Sequence, residues 1–288
     1  MEKNATQLLQ HSQGDVAINQ SQSVFSKLKE VYFLLMQTDS KTLAYVNLFA
    51  VLGTLENLCE LAPEAKSILK GKEPFSIGFA VKGGPQAVLA FKNGHCELRE
   101  GSGGCIILLP FPSCEKFNGM INGTYSPMPS KGLLKLALLT KTFVPLTEVL
   151  KNYLKPSKTA LQNPSFREIS TRLMLYTAAA AVSQVGNNDK SGMVSASQIP
   201  DGDIAIDVKN VMGITVSVKN HRLTTVKQPC RNPRSSMVFS SLDVAGQLLS
   251  GEVSAMACIS NGSIEMHGML NMIDNMNRIL DRVAQYLS

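Results

Sequence analysis

The sequence predicts an α+β fold in which one helix–sheet–helix unit occurs twice in succession. Three observations predict it. The hydrophobic period switches from helical to alternating and back, and does so twice. Tight hairpin signals stand at matching places, Asn93-Gly94 and Asn220-His221. Short segments also match in order. Phe91-Lys-Asn-Gly-His aligns with Val218-Lys-Asn-His-Arg, and Phe117-Asn-Gly with Val244-Ala-Gly, both at an offset of 127. Asn122–Met128 aligns with Ser250–Met256 at 128, Lys131-Gly-Leu-Leu with Asn261-Gly-Ser-Ile at 130, and Asn152-Tyr-Leu with Gln285-Tyr-Leu at 133. A repeat this long is a whole domain and not a solenoid unit.

Each element has a local reason. Residues 1–22 are rich in Gln, Asn and Ser and read as a loosely ordered arm. Val24, Leu28, Val31 and Leu35 form one apolar stripe and predict a helix at about 24–37. Asp39 and Ser40 offer cap chemistry for a helix near 41–61, and Pro63 and Gly71 bracket a short helix ending at Leu69. Phe75–Val81, Ala87–Phe91 and a segment from Cys96 form a meander, and Ile106–Leu109 continues in extended form. A helix is expected at Ser113–Ile121, a short strand near Leu133–Leu136 and a helix at about 143–154. These make a first domain at 23–155. Two prolines among polar residues mark a linker at 156–165.

The second domain, 166–288, opens with a helix from about 166 to 185 and a loop at Gly186–Gly192. Strands follow at Ile204–Val208, Gly213–Val218, Leu223–Val226 and Met237–Phe239. A capped helix at Leu242–Ser250, a strand at Ser263–His267 and a long helix at Leu270–Leu287 complete it.

Composition narrows the function. Hydrophobic residues make up 44% and charged residues 17%, which belongs to a folded globular protein. The net charge of +6 is scattered and lacks the clustered basic stripe of a nucleic-acid binder, so no nucleic-acid partner is expected. Leu43–Leu61 is the most apolar stretch, but Asn47, Glu56, Asn57 and Glu60 argue for a buried helix over a membrane span. No secretory signal is visible, so the expected location is cytoplasmic. The six cysteines make no C-x-x-C pair and read as reduced, small hydrophobes. His11, His95, His221 and His267 form no catalytic or metal-ligating spacing, and Gly101-Ser-Gly-Gly104 lacks the ending of a phosphate loop. No catalytic residue, metal or cofactor is expected, and the chain is read as a non-enzyme.

Phe75-Ser-Ile-Gly-Phe-Ala-Val-Lys-Gly-Gly-Pro with Ala87–Gly94 resembles the opening meander of the sterol carrier protein type 2 family. Phe239–Gly251 resembles that family's helix ending in Gly, and Asn261–Gly268 its late strand. The likeness covers about 75–155 and 200–288. It implies two tandem sterol-carrier-like domains, each a roughly five-stranded, mostly antiparallel sheet covered by helices over an apolar cavity. It also implies binding of a sterol, fatty acid or acyl-CoA without chemistry. The first half departs from the family at Thr124–Ser130, where a short helical turn is expected.

Six of the thirteen methionines fall between Met237 and Met276, and a flexible, polarizable side chain suits a wall that adapts to varied ligands. The expected apolar cavity residues are Phe79, Phe117, Met120 and Met128 in the first half. In the second they are Phe239, Leu248, Met256, Met266, Met269 and Met272. The expected partner is a lipid or other apolar small molecule, with transient contact to a membrane surface and homo-oligomerisation left open. The alternative is a protein-interaction or oligomerisation module with a collapsed cavity.

Overall fold

Two sheets, each faced by helices, share a pair of long helices in the computed structural model, which describes residues 38–288. The arm at 1–22 and the helix expected at 24–37 lie outside the described residues. Helix α1 (Ser40–Leu61) starts at Asp39, whose carboxylate accepts from Thr42 N at 2.8 Å. It is π-helical over Val46–Val51 and 3-10 over Leu52–Thr54. Helix α2 (Pro63–Leu69) follows the single extended residue Ala62. Strands β1 (Phe75–Val81), β2 (Gln86–Lys92), β3 (His95–Glu100) and β4 (Ile107–Phe111) form a sheet in the order β3-β2-β1-β4. Helix α3 (Cys114–Ile121) is capped by Ser113. A helical run, α4 (133–154), closes the half; it contains a π-helical stretch at Leu139–Phe143 and the regular helix Val144–Leu154.

The second half repeats this order. Helix α5 (Pro164–Asn188) is capped by Asn163, and α6 (Lys190–Ser197) follows the single extended residue Asp189. Strands β5 (Gly202–Val208), β6 (Met212–Lys219), β7 (Arg222–Val226) and β8 (Ser235–Phe239) lead to α7 (Leu242–Leu249) and α8 (Ala255–Ser260). Strand β9 (Ile264–Gly268) and α9 (Leu270–Leu287) finish the chain, and the sheet order is β7-β6-β5-β8-β9. In both sheets the first strand pairs antiparallel to the second and parallel to the fourth. Both hairpin turns need two residues at positive φ: Asn93 and Gly94 in one, Asn220 and His221 in the other.

Helix α1 is apolar all round because it serves two cores. Leu48, Leu52 and Leu55 join the core of the first sheet, and Val46 and Ala50 that of the second. By length and composition it would cross a membrane, yet 72% of its apolar window is buried inside the protein. Its Asn47 and Glu56 have internal partners, whereas the buried Asn57 Oδ1 has none among the described residues. Glu56 accepts from Leu98 N at 2.8 Å and pairs with Lys227 at 3.1 Å; Asn47 donates to Asn118 Oδ1 at 3.0 Å. Where α1 meets α5, the hydroxyls of Thr54 and Thr177 lie 2.8 Å apart.

Five expectations need correction. The strand near Leu133–Leu136 is the start of α4. Its residues are good helix formers, and one bridge, Leu108 to Lys131, is all that remains of a fifth strand. The loop at Gly186–Gly192 is the end of α5 and the start of α6. Gly186 is there for close packing, since a Cβ would sit 2.9 Å from Leu223; at Gly192 a Cβ would sit 2.3 Å from Val185 O. Helix α8, capped by Ser254, was not expected; six residues are too few to show a period. Finally, two alignments are out of register. Phe117-Asn-Gly with Val244-Ala-Gly is one residue off, because the caps Ser113 and Ser241 set the offset at 128. Lys131-Gly with Asn261-Gly is off as well. The true partner of Gly132 is Gly268. Both turn the chain away from the fourth strand at φ +84° and +88°, and at both a Cβ would strike a carbonyl oxygen of the segment entering that strand, 2.6 Å from Ile106 and 2.2 Å from Arg234.

Candidate functional site

The corrected register shows what differs between the halves. From the end of the fourth strand to Met128 and Met256 the offset stays at 128. Gly123 and Gly251 have the same φ, +74° and +75°, and close the same turn onto Met120 and Leu248. At Gly132 and Gly268 the offset has become 136. The second half therefore has eight more residues here, which supply α8 and lead into β9.

Without them the first sheet has an open edge, and Pro110 sits on it. Leu108 uses both its N–H and its C=O on the bridging segment, accepting from Ser130 N at 2.9 Å. Backbone groups alternate sides along a strand, so the nitrogen of Pro110 faces the same edge and has no hydrogen to donate. Its counterpart Val238 is paired with Glu265 of β9. Proline thus ends the strand pairing and keeps the edge from recruiting a foreign strand.

An open cleft of about 590 Å³ lies beside this edge. Ala80, Val81, Pro110, Phe111, Pro112, Tyr125 and Met128 line it, and Lys82 and Gln86 add the polar groups. Val81 and Phe111 are buried, while Met128 is 79% exposed. Phe111 is held by an edge-on contact with Phe117, ring centroids 5.1 Å apart, and by Tyr125 at 6.2 Å. Lys116 sits over the Tyr125 ring at 5.2 Å. Helix α3 is anchored from behind: Asn118 donates to Ser40 O at 2.9 Å, and Ser113 and Ser40 hold the Glu115 carboxyl down at about 2 by hydrogen bonding. The arrangement is an apolar surface with lysines at its rim. Among the described residues no three His, Cys, Asp or Glu side chains come together to hold a metal ion.

Of the residues singled out in the sequence, Met128 lines this cleft. Phe79 and Phe117 are fully buried in an aromatic cluster, 6.1 Å apart and joined by Phe143 at 6.0 Å from Phe79. Met120 is half-buried against that core. Phe239 and Met272 are buried in the second core, with Leu248 and Met266 half-buried against it; Met266 pairs with Met237 across β8 and β9. Met256 is 72% exposed, and Met269, just before α9, is 37% exposed. Sequence reasoning missed Val81, Pro110, Phe111 and Tyr125. The available signal was Pro-Phe-Pro at a strand end, where proline marks an edge. It also missed Asp207, the counterpart of Ala80, whose carboxyl is pushed up by burial and whose Oδ1 has no hydrogen-bond partner.

No family model and no curated protein matches this chain. Solved structures similar to part of it include a UbiJ-SCP2 ubiquinone synthesis protein, at 12% identity over 37% of this chain and 94% of that one, TM-score 0.29. The sterol carrier protein domain 2 of Helicoverpa armigera is 14% identical over 39% and 88%, TM-score 0.32. Sterol Carrier Protein 2 Like 2 of Aedes aegypti is 14% identical over 38% and 93%, TM-score 0.27. At these distances the likeness carries no function across.

Proposed function

We propose that the protein is a non-catalytic, cytoplasmic binder of a lipid-like apolar ligand, built from two tandem sterol-carrier-like units. The observation that carries this reading is the cleft lined by Pro110, Phe111, Tyr125 and Met128 at the edge strand β4, whose counterpart β8 in the second half is covered by β9. Its volume falls within the usual range for small-molecule sites, and its lining is mostly apolar with few polar groups. The resemblance of 75–94 and 239–268 to the sterol carrier family supports the same ligand class. Lys82 at the rim suits an anionic head such as a fatty-acid carboxylate. Each methylene taken from water contributes ~0.8 kcal/mol. A chain of about sixteen methylenes half-buried in an open cleft gains roughly 6 kcal/mol, and ordering costs of several kcal/mol leave binding no tighter than about millimolar from the chain alone.

The test is uptake of a fluorescent fatty acid by the whole protein, with mass spectrometry of an organic extract of the purified material. Saturable uptake, lost in Met128→Lys, supports the reading. A clean extract together with no uptake overturns it.

A second reading, an interaction module, is favoured by a specific observation. The interior of the first half is occupied by its own Phe79, Phe117 and Phe143 rings. Sedimentation of the apo protein separates the two: a stable oligomer that takes up no fatty acid supports the interaction module.

A further inference from the structure

The start of α4 exposes side chains that neither core uses. Leu133 is 54% exposed, Leu134 fully and Leu136 44%, and Val144 extends the strip. Lys131, Lys135 and Lys141 are interleaved with them and are exposed too. Met128, at the cleft mouth, lies three residues before Lys131. Large aliphatic side chains exposed together along one helical run point to an interaction site. Between Lys116 and Thr147 the chain has no Asp or Glu. Lys131 Nζ donates to Cys105 O at 2.7 Å, which leaves its charge unneutralised, and Lys135 and Lys141 make no ion pair among the described residues. The matching surface of the second half exposes Met269 and Leu270, but its charges are Glu265, Asp274 and Asp281, with Arg278 paired to Asp274 at 3.1 Å. Cationic and aliphatic character coincide in the first half.

We propose that the strip from Met128 to Val144 docks the protein on an anionic lipid bilayer. Aliphatic side chains enter the acyl boundary while lysine stems reach back to the phosphate level. Charge complementarity selects this occupant over a second copy of the chain. In a two-fold contact through the same strip, the lysines of the two copies would oppose each other. Three surface lysines raise the partition onto an anionic leaflet by about five-fold each. Because Met128 belongs to both strip and cleft, docking brings the cleft mouth to the bilayer surface. Only this last consequence rests on the proposed ligand binding.

The experiment is co-sedimentation of the full chain with vesicles of phosphatidylserine and phosphatidylcholine, against phosphatidylcholine alone, at low and high salt. Expected are binding to the anionic vesicles, weakening in high salt, and a drop of about 25-fold in K135Q/K141Q at low salt. Leu134→Asn also lowers binding without changing the thermal midpoint, since Leu134 touches little of the fold. Equal affinity for both vesicle types, no binding to either, or variants that bind like the parent overturns the proposal. So does an oligomer in solution that L134N dissociates, which assigns the strip to a second copy. Fatty-acid uptake measured without vesicles reads the cleft alone and keeps the two proposals separable.

Discussion

Tyr286 donates its hydroxyl to Asp189 Oδ2 at 2.7 Å, and Arg282 reaches the same oxygen from Nε and Nη2, both at 3.1 Å. Asp189 also caps α6 by accepting from Gly192 N at 2.9 Å, while Asp39 N donates to the Tyr286 oxygen at 3.0 Å. One buried carboxylate thus ties together the entry to α6, the closing helix α9 and the start of α1. Burial alone would raise its pKa, but the bonds from Arg282 and Tyr286 outweigh that and hold it below the ordinary value. A depressed carboxylate contributes stability above its unfolded pKa, about 3.9, and loses it as pH falls through the folded value. Asp189→Asn leaves Arg282 buried beside a neutral amide and is expected to cost about 3–5 kcal/mol. Urea unfolding at pH 7 checks this, and the gap between variant and parent should shrink in acid below about pH 4.

The first half makes the same kind of bond at its closing helix. Tyr153 donates to Glu64 Oε2 at 3.0 Å, with Glu64 two residues past the extended residue Ala62 that corresponds to Asp189. Burial, and then donation to a carboxylate, pushes both tyrosines up to about 12. A raised phenol contributes stability fully below its unfolded pKa, about 10, and loses it as pH rises toward the folded value. Ultraviolet titration should therefore show Tyr153 and Tyr286 ionising late, with stability falling between about pH 10 and 12. Tyr153→Phe/Tyr286→Phe should flatten that fall. A double variant with the parent's alkaline profile would show that these bonds do not govern it.

Pro110 leads to a third expectation. Pro110→Val restores an N–H on the open edge of β4 while keeping an apolar side chain, as at the matching Val238. The variant should self-associate with rising concentration, read by sedimentation velocity, while the parent does not change. An unchanged sedimentation profile would remove Pro110 as an edge guard.

Both meanders and both hairpins were legible because alternation and paired turn residues are local signals, whereas the parallel pairing of the fourth strand with the first is not local and was not read. Asn93-Gly94 and Asn220-His221 mark the same turn without any knowledge of the fold. The edge at Pro110 was not read, because its meaning depends on which face of β4 lacks a partner. The misalignment of Gly132 had a related cause. Two Lys/Asn-Gly pairs look alike in sequence, and only the close approach to Ile106 and Arg234 separates the glycine that turns from the one that merely follows a helix. Gly186 and Gly192 misled in the opposite direction, since glycine required by packing resembles glycine that breaks a helix. In the site, aromatic residues on the sheet and on the helix that faces it were read as a cavity wall. Phe79 and Phe117 are instead in mutual contact, because an inward-facing ring fills space as readily as it lines it.

That distinction can be measured at two residues chosen from one original set. Phe79 is fully buried with Phe117 and Phe143 packed around it, so Phe79→Ala should cost about 3–5 kcal/mol of stability. Met128 is mostly exposed at the cleft mouth, so Met128→Ala should change stability by less than about 0.5 kcal/mol. If the cleft holds the ligand, Met128→Ala weakens fatty-acid binding several-fold at unchanged fold, because it removes an apolar contact from the site. Thermal unfolding and a fluorescent fatty-acid titration on the same two variants resolve the matter. Binding lost only in proportion to unfolded protein in Phe79→Ala, and lost without unfolding in Met128→Ala, places the ligand beside Pro110. The reverse pattern, full binding in Met128→Ala and a ligand-binding defect in folded Phe79→Ala, would place it in the aromatic interior.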